Sequence, residues 1–260
     1  MFETELRRSG LDEWFEAVYA GEDGAEQRLA WQQMPEVVDG LRRPVRSFPS
    51  YRGQRNFPGW YWSATLGHRI GFESWVERDH LIALDFDPSV ASMVSQPFWL
   101  HWTDRAGKAR RHAPDFLVRL DDGQVVVLDS RPAELVEASD REAFAATDRA
   151  CTQVGWRYAV WDRLDSVLVN NQRWLSGYRH PRCFNEPVAN LLLEAFAQPR
   201  ALMDGAAAAG DPLGTLPVLY HLLWKRWLLT DLSVVLSDRT IVSLGARPAA
   251  APADLAAVFK

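Results

Sequence analysis

Apolar and polar positions alternate most regularly between residues 83 and 131, which predicts the strands of a sheet. The predicted strand segments are 83–87, 90–102, 109–120 and 124–131. Asp121-Asp122-Gly123 separates the last two segments and has the composition of a hairpin turn. The Val-Val-Val-Leu run at 125–128 is typical of a central strand that is buried on both faces. The middle of the chain is therefore predicted to hold a sheet that contains a β-hairpin.

Apolar residues at helical spacing predict helices on both sides of these strands. They indicate helices at about 73–81 and 134–155, and residues 156–162 return to a strand pattern. The same spacing predicts an acidic helical leader over residues 1–41, where the recurring apolar positions are Leu11, Trp14, Phe15 and Val18. The order of helix, strands, helix and strand describes an α/β or α+β domain around a mixed sheet.

The character of the chain changes near residue 170, which suggests a second, smaller domain. A polar segment rich in turn formers precedes short apolar helices and a possible β-wing, so the second domain is predicted to be helical and of winged-helix type. The predicted organisation is a leader at 1–41, a central domain at 42–170, a linker at 171–186, a small domain at 187–248 and a tail at 249–260.

Composition excludes several classes of protein. The chain has 260 residues with 47% hydrophobic and 24% charged positions, in the ordinary globular range. No apolar run reaches the roughly 18 residues of a membrane span, and the N-terminus lacks the pattern of a signal peptide, so we expect a cytoplasmic protein. Two cysteines, Cys151 and Cys183, are too few for a disulfide framework or a four-sulfur zinc site.

Positive charge is concentrated in one part of the chain. The formal net charge is −5, but residues 42–112 hold eleven Lys and Arg against six Asp and Glu, a local excess of 11 − 6 = +5. A basic segment in an acidic chain permits a local nucleic-acid surface while arguing against a general nucleic-acid coat.

Two carboxylates on the predicted hairpin are the strongest candidates for chemistry. Asp115 and Asp129 each lie seven residues from Asp122 at the centre of the turn, so an antiparallel hairpin would place them opposite each other. Arg131 would project to the same side as Asp129, because side chains on a strand alternate. Asp is also common at strand ends, where it simply faces water, and the spacing alone leaves that interpretation open.

Such a pair, with a cation beside it and a glutamate on the preceding helix, suits metal-dependent phosphodiester hydrolysis. The two carboxylates and the Ser130 carbonyl would hold Mg²⁺, and Glu73 would complete its coordination. Glu77 lies one helical turn further on the same face and is the alternative to Glu73.

At these residues the chain resembles the TnsA-like endonuclease subunits of heteromeric transposases, within the PD-(D/E)xK superfamily. The resemblance covers about residues 45–182 through the blocks GFESWVERDHLIALDFDPSV, SQPFW, RRHAPDFLV and VVVLDSRP. It implies a restriction-endonuclease-like mixed sheet flanked by helices. It also implies that Glu73, Asp115 and Asp129 bind Mg²⁺, with Mn²⁺ as a substitute. The superfamily usually carries Lys two residues after the second acid, where this chain has Arg131.

The resemblance implies a function as well. Such a subunit cuts one DNA strand at a transposon end, and it acts with a separate integrase-like transposase and an ATPase regulator. The alternatives are an inactive DNA-binding or assembly subunit on the same fold, and a standalone nuclease of defence or repair. The candidate DNA-binding residues are Gln96, Arg110, Arg111 and His112. A second set is equally consistent with a DNA-contacting arm or an ordinary surface: Arg42, Arg43, Arg46, Arg52 and Arg55.

Overall fold

A computed structural model describes residues 14–48 and 57–245, which form a mixed α/β protein. Two compact units divide between Leu164 and Asp165. The division falls six residues before the predicted end of the central domain at residue 170. Arg52, Arg55, Leu11 and the predicted tail lie outside the described residues.

The first sheet of the N-terminal unit is antiparallel. Its strands, in spatial order, are β2 (Glu26–Ala30), β1 (Glu16–Ala20), β6 (Trp99–Thr103) and β7 (Ala109–His112). The helical leader predicted for residues 1–41 is wrong over its described part, where the α-helical segment is only α1 (Met34–Val37). Phe15 and Ala17 are buried at alternate positions because β1 pairs with β6, about 80 residues further along the chain.

The second sheet is mixed and lies with two longer helices, α2 (Trp75–Phe86) and α3 (Ala138–Gln153). Its strands, in spatial order, are β10 (Arg157–Trp161), β9 (Val125–Ser130), β8 (Phe116–Leu120) and β5 (Val90–Ser95). Only β9 and β10 are parallel. A two-stranded hairpin, β3 (Gly59–Trp62) and β4 (Arg69–Phe72), precedes α2. The predicted hairpin at residues 109–131 and the strand at 156–162 are confirmed in outline.

Two predicted strands are in fact each divided between the two sheets. The segment 90–102 splits into β5 and β6 at Gln96-Pro97, where Gln96 has a left-handed φ of 45°. The segment 109–120 splits into β7 and β8 at Pro114. The chain therefore leaves the second sheet next to the place where it returns, and the Gln96 backbone N–H donates to the Asp115 carbonyl at 2.8 Å.

The predicted strand at 83–87 is wrong, because α2 continues to Phe86. Its apparent alternation came from Asp85 and Asp87, which resemble solvent-facing positions. Asp85 is instead 5% exposed and accepts hydrogen bonds from Tyr61 Oη at 2.8 Å and Ser63 Oγ at 2.6 Å. The backbone N–H groups of residues 64 and 65 donate to the same carboxylate, at 2.9 and 2.8 Å. Asp85 thereby fastens the β3–β4 hairpin to α2.

The hydrophobic core of the N-terminal unit joins both sheets to α3. Val127 of β9, Leu100 of β6 and Cys151 of α3 belong to one buried cluster. Trp31 is fully buried in it, packs edge-on against Phe98, and donates from Nε1 to the Ala150 carbonyl at 2.5 Å. This packing fixes the second sheet against α3.

The C-terminal unit is mainly helical. Its elements are α4 (Ser166–Ser176), α5 (Glu186–Ala195), β11 (Arg200–Ala201), α6 (Leu202–Ala209), α7 (Pro212–Trp224), β12 (Leu228–Leu229) and β13 (Ile241–Leu244). The strands form a sheet in the order β11-β13-β12, in which both neighbouring pairs are antiparallel.

The predicted linker at 171–186 begins inside α4. Asn171 is buried there, donates to the carbonyls of Leu232 and Val234 at 2.9 and 2.7 Å, and accepts from the Leu236 N–H at 3.2 Å. The polar side chain that suggested a linker therefore holds the loop before β13.

Among residues 14–48 and 57–245, no helix has the length and apolar character that crossing a bilayer requires.

Asp85→Ala should destabilise the N-terminal unit by about 3–5 kcal/mol. The substitution removes the carboxylate that accepts hydrogen bonds from the buried Tyr61 and Ser63 hydroxyls and from backbone donors. Asp87→Ala is the matched control. Asp87 is exposed and its carboxylate accepts from the Ser89 N–H and hydroxyl, so its loss should cost about 1 kcal/mol or less. Urea unfolding measures both. Equal losses in the two variants would contradict the role of Asp85 in holding the β3–β4 hairpin on α2.

Candidate active site

Asp115 and Asp129 face each other across the β8–β9 hairpin, as the sequence spacing predicts. The strand register pairs Phe116 with Leu128 and Arg119 with Val125, so the next pair outward is Asp115 with Asp129. At this open end of the hairpin, side-chain carboxylates accept the backbone N–H hydrogen bonds between the two chain segments. The Asp115 N–H donates to Asp129 Oδ1 at 3.3 Å, and the Ser130 N–H donates to Asp115 Oδ2 at 2.7 Å.

Asp129 is a buried carboxylate with a full set of partners. It is 3% exposed, so the interpretation that it faces water is wrong. His112 Nε2 lies 3.0 and 2.9 Å from its two oxygens, and Tyr158 Oη donates to Oδ2 at 2.5 Å. Burial, followed by the charge and hydrogen bond of Asp129, raises the pKa of Tyr158, which keeps the phenol protonated as a donor. His112 and Tyr158 therefore hold Asp129 in place.

Asp115 is only partly buried, and its carboxyl group stands among other acids. Within the described part of the chain, its carboxylate accepts a hydrogen bond from the Ser130 N–H. Desolvation raises the pKa of Asp115 well above its ordinary value, and the carboxylates of Glu77, Asp129 and, more weakly, Glu73 raise it further. Acidic groups from a strand end, the neighbouring strand and a helix thus converge on one place.

Glu77 is the helix-borne acid that acts most strongly on Asp115. It is 8% exposed, and its oxygens accept from Ser74 Oγ and from the Glu73 N–H, both at 2.8 Å. Ser74 caps the start of α2 by accepting from the Glu77 N–H at 3.2 Å. Burial raises the pKa of Glu77. The Ser-x-x-Glu pattern of a capping box is the sequence signal that places Glu77 against the start of α2.

Glu73 itself precedes α2 and pairs with a cation. Its Oε2 lies 2.7 Å from Arg46 Nη2. Glu73 is therefore next to the acidic group through its backbone, which donates to Glu77, while its carboxylate is occupied by a guanidinium.

A buried histidine holds α2 on the hairpin. His80 Nε2 lies 2.8 Å from the Asp162 carbonyl, and Nδ1 lies 2.7 Å from Ser130 Oγ. A carbonyl can only accept, so Nε2 carries the proton and Nδ1 accepts from the serine hydroxyl. Burial lowers the pKa of His80, which favours this neutral form. Since Ser130 also donates to Asp115, the contact couples the position of α2 to that of the acid.

Arg131 does not lie free beside these acids. Its Nε and Nη2 contact Asp140 Oδ2 at 3.0 and 2.9 Å, and Asp140 also accepts from the Glu137 N–H at the start of α3. An acid in the first turn of α3 therefore holds the guanidinium, and a catalytic role for Arg131 beside Asp129 stays a prediction.

The four residues predicted to bind DNA have varied surroundings. Arg110 pairs with Asp104 at 2.8 Å, and Arg111 is exposed and stacks over Trp99 at 4.5 Å from the ring centre. Gln96 is 1% exposed, and neither polar atom of its amide has a hydrogen-bond partner in the described residues. His112 binds Asp129. DNA contact by these residues stays a prediction.

Metal binding by Glu73, Asp115 and Asp129 together stays a prediction. Residues 14–48 and 57–245 contain no cluster of three or more His, Cys, Asp or Glu side chains arranged around a common ion position. Glu77 and Asp115 are nevertheless ligands of the type that Mg²⁺ takes, since this ion is commonly held by one or two carboxylates and several waters. A divalent cation would also relieve the repulsion that raises the pKa of Asp115.

Residues 87–162 match the sequence model of a family described as TnsA-like endonuclease N terminal. The matched segment begins directly after α2 and includes Asp115, Asp129 and Arg131, while Glu73 and Glu77 precede it. The predicted resemblance to TnsA-like endonucleases is confirmed for this segment. No match was found among curated proteins.

Asp115→Asn should flatten the dependence of stability on pH. The pKa of Asp115 is higher in the folded than in the unfolded chain, so the folded state binds the proton more tightly. The free energy of unfolding should therefore fall as pH rises from about 4 through the raised pKa, and the amide removes this loss. Urea unfolding between pH 4 and 8 measures it.

The matched control is Asp122→Asn, in the exposed turn of the same hairpin. Its pH profile should follow that of the wild type. Parallel profiles for all three proteins would contradict the acidic surroundings assigned to Asp115.

Proposed function

We propose that the N-terminal unit is a divalent-metal-dependent DNA endonuclease with a restriction-endonuclease-like core. The order α2, β5, β8, β9, α3, β10 supports this fold, because it sets one helix before three strands and returns through a second helix to a parallel strand. The β6–β7 pair is an insertion between the first two core strands. The family match over residues 87–162 supports a nuclease.

The convergence of Glu77 and Asp115 carries the proposal. A repulsive, desolvated pair of carboxylates weakens the fold, and such a pair is typical of a functional site. In our proposal these two acids hold Mg²⁺, or Mn²⁺ in its place. A bound Mg²⁺ supplies charge that polarises the scissile phosphate and lowers the pKa of a coordinated water.

The other residues of the site keep this pair in position. Asp129, held by His112 and Tyr158, accepts from the Asp115 N–H and so fixes the backbone that carries the acid. The contact between His80 and Ser130 sets the distance between α2 and the hairpin. This assignment replaces Glu73 with Glu77 as the helix-borne ligand and gives Asp129 a supporting place beside the ion.

The biological setting in the proposal follows the family resemblance. The substrate is DNA at a transposon end, of which one strand is cut, and the partners are an integrase-like transposase and an ATPase regulator. Arg110 and Arg111 of β7 directly precede the strand that carries Asp115 and are proposed to contact the phosphate backbone. A cytoplasmic location stays a prediction.

For the C-terminal unit we propose the winged-helix type. The support is its element order of helix, strand, two helices and two strands from α5 to β13, with a three-stranded sheet ordered β11-β13-β12.

The second candidate function is a DNA-binding or assembly subunit without catalysis. The specific observation in its favour is Arg131, which stands where the superfamily has Lys and which pairs with Asp140. An Arg keeps its charge and cannot shuttle a proton. Retained DNA affinity with no cleavage in Mg²⁺ or Mn²⁺, including in the presence of the partner, would select this candidate.

Nicking of a supercoiled plasmid in Mg²⁺ tests the nuclease. Asp115→Ala and Glu77→Gln should each lower the nicking rate by about 10²–10³-fold or abolish it. Glu73→Gln is the matched control on the same segment, and as a neighbour of the ligands it should cost about tenfold at most. Unfolding curves confirm that each variant is folded. Undiminished cleavage by Asp115→Ala would refute the assignment.

A further inference from the structure

The acidic site requires a positive charge from somewhere other than Arg131. Phosphodiester hydrolysis builds negative charge on the phosphate oxygens, and a neighbouring cation stabilises it. Arg131 donates from both Nε and Nη2 to Asp140 Oδ2, an oxygen that also accepts from Glu137. Releasing this guanidinium would break the bond network at the start of α3, so the geometry favours a structural use of Arg131.

Arg46 is the cation that stands with the acids. Its Nη2 lies 2.7 Å from Glu73 Oε2, and its charge lowers the pKa of Glu77, against the larger effect of burial. Glu73 in turn donates its N–H to Glu77. Arg46 therefore contacts Glu73, whose backbone binds Glu77, and Glu77 is the carboxylate that acts on Asp115.

Backbone hydrogen bonds tie the Arg46 segment to the same strand end. The Val45 N–H donates to the Gln96 carbonyl at 2.9 Å, and the Gln96 N–H donates to the Asp115 carbonyl at 2.8 Å. The backbone of Val45 is thus hydrogen-bonded to the residue that directly follows β5. The position of Arg46 is set by the element that sets Asp115, although 69 residues separate the two in the chain.

The Arg46 side chain is partly fixed and partly available. Its guanidinium carbon lies 5.9 Å from the centre of the Trp99 ring, and the side chain remains 39% exposed. Its Nε is buried and has no hydrogen-bond partner in the described residues. A guanidinium has five N–H donors in a planar fork that matches the oxygens of a phosphate. The exposed part of this charged group suits the binding of an anion.

We propose that Arg46 binds the scissile phosphate at the Glu77–Asp115 site and supplies the charge that the sequence pattern led us to expect from Arg131. This inference rests on the proposed nuclease function. In the reaction a water oxygen bonds to phosphorus while one phosphodiester P–O bond breaks, which leaves an alcohol and a phosphate monoester. Arg46 neither gains nor loses a proton; it pairs with the phosphate oxygens throughout.

The test compares Arg46→Ala, Arg46→Lys and Arg131→Ala in the full chain. Arg46→Ala should lower nicking by about 10²–10³-fold, and Arg46→Lys should recover part of that loss because it restores charge without the planar fork. Arg131→Ala should unfold at lower urea, since it leaves Asp140 unpaired, but should retain nicking per folded molecule. Loss of nicking in Arg131→Ala with full nicking in Arg46→Ala would overturn the proposal.

Two binding measurements separate a phosphate contact from a structural effect. With Ca²⁺ replacing Mg²⁺, duplex DNA should bind more weakly to Arg46→Ala, and the slope of log affinity against log salt should decrease by about one. Affinity for Mn²⁺ without DNA should not fall, because a neighbouring cation has been removed. Equal DNA affinity and equal slope in the wild type and Arg46→Ala would refute the phosphate contact.

A failure of the proposed nuclease function can be distinguished from a failure of the proposed Arg46 contact. A wild type that binds DNA but never nicks it would refute the proposed activity, and the salt slopes would then still report on Arg46. A lower slope in Arg46→Ala, with no change in Arg131→Ala, supports the contact in that case as well.

Discussion

The desolvated carboxyl group of Asp115 is the constraint on which the site depends. It stands where the second sheet, the hairpin end and α2 meet, and three other acids act on it. Such a group opposes folding at neutral pH, since a charge without full hydration is costly. The Ser130 N–H offsets part of that cost. In the proposed function a divalent cation would offset more of it, so the repulsion that weakens the fold would favour binding of the ion.

The surrounding elements are arranged to keep this unfavourable group in place. The contact between His80 and Ser130 fixes α2, and the four hydrogen bonds to Asp85 fasten the β3–β4 hairpin to that helix. The chain crosses between the two sheets at Gln96 and returns beside Asp115. Buried polar contacts of this kind hold a geometry that hydrophobic packing alone would allow to relax.

Local patterns predicted part of this structure, and contacts distant in sequence explain the errors. Asp115 and Asp129 could be paired by counting from the turn, because a hairpin register is a local property. The first strand was missed although β1 forms a local hairpin with β2, because the apolar residues before and within it also fit helical spacing. Asp85 suggested a strand because its buried hydrogen bonds are invisible in the sequence. Arg46 and Arg131 could not be ranked, since their surroundings depend on Glu73 and Asp140.

The most direct test of the account is the location of a divalent ion. Crystals of the wild-type protein soaked in Mn²⁺ would reveal the ion through its anomalous scattering. We expect one peak within coordination distance of both Glu77 and Asp115, with Arg46 beside it and Arg131 still bound to Asp140. A peak held by Glu73 and Asp129, or no peak near Asp115 when the ion is bound elsewhere, would contradict the account.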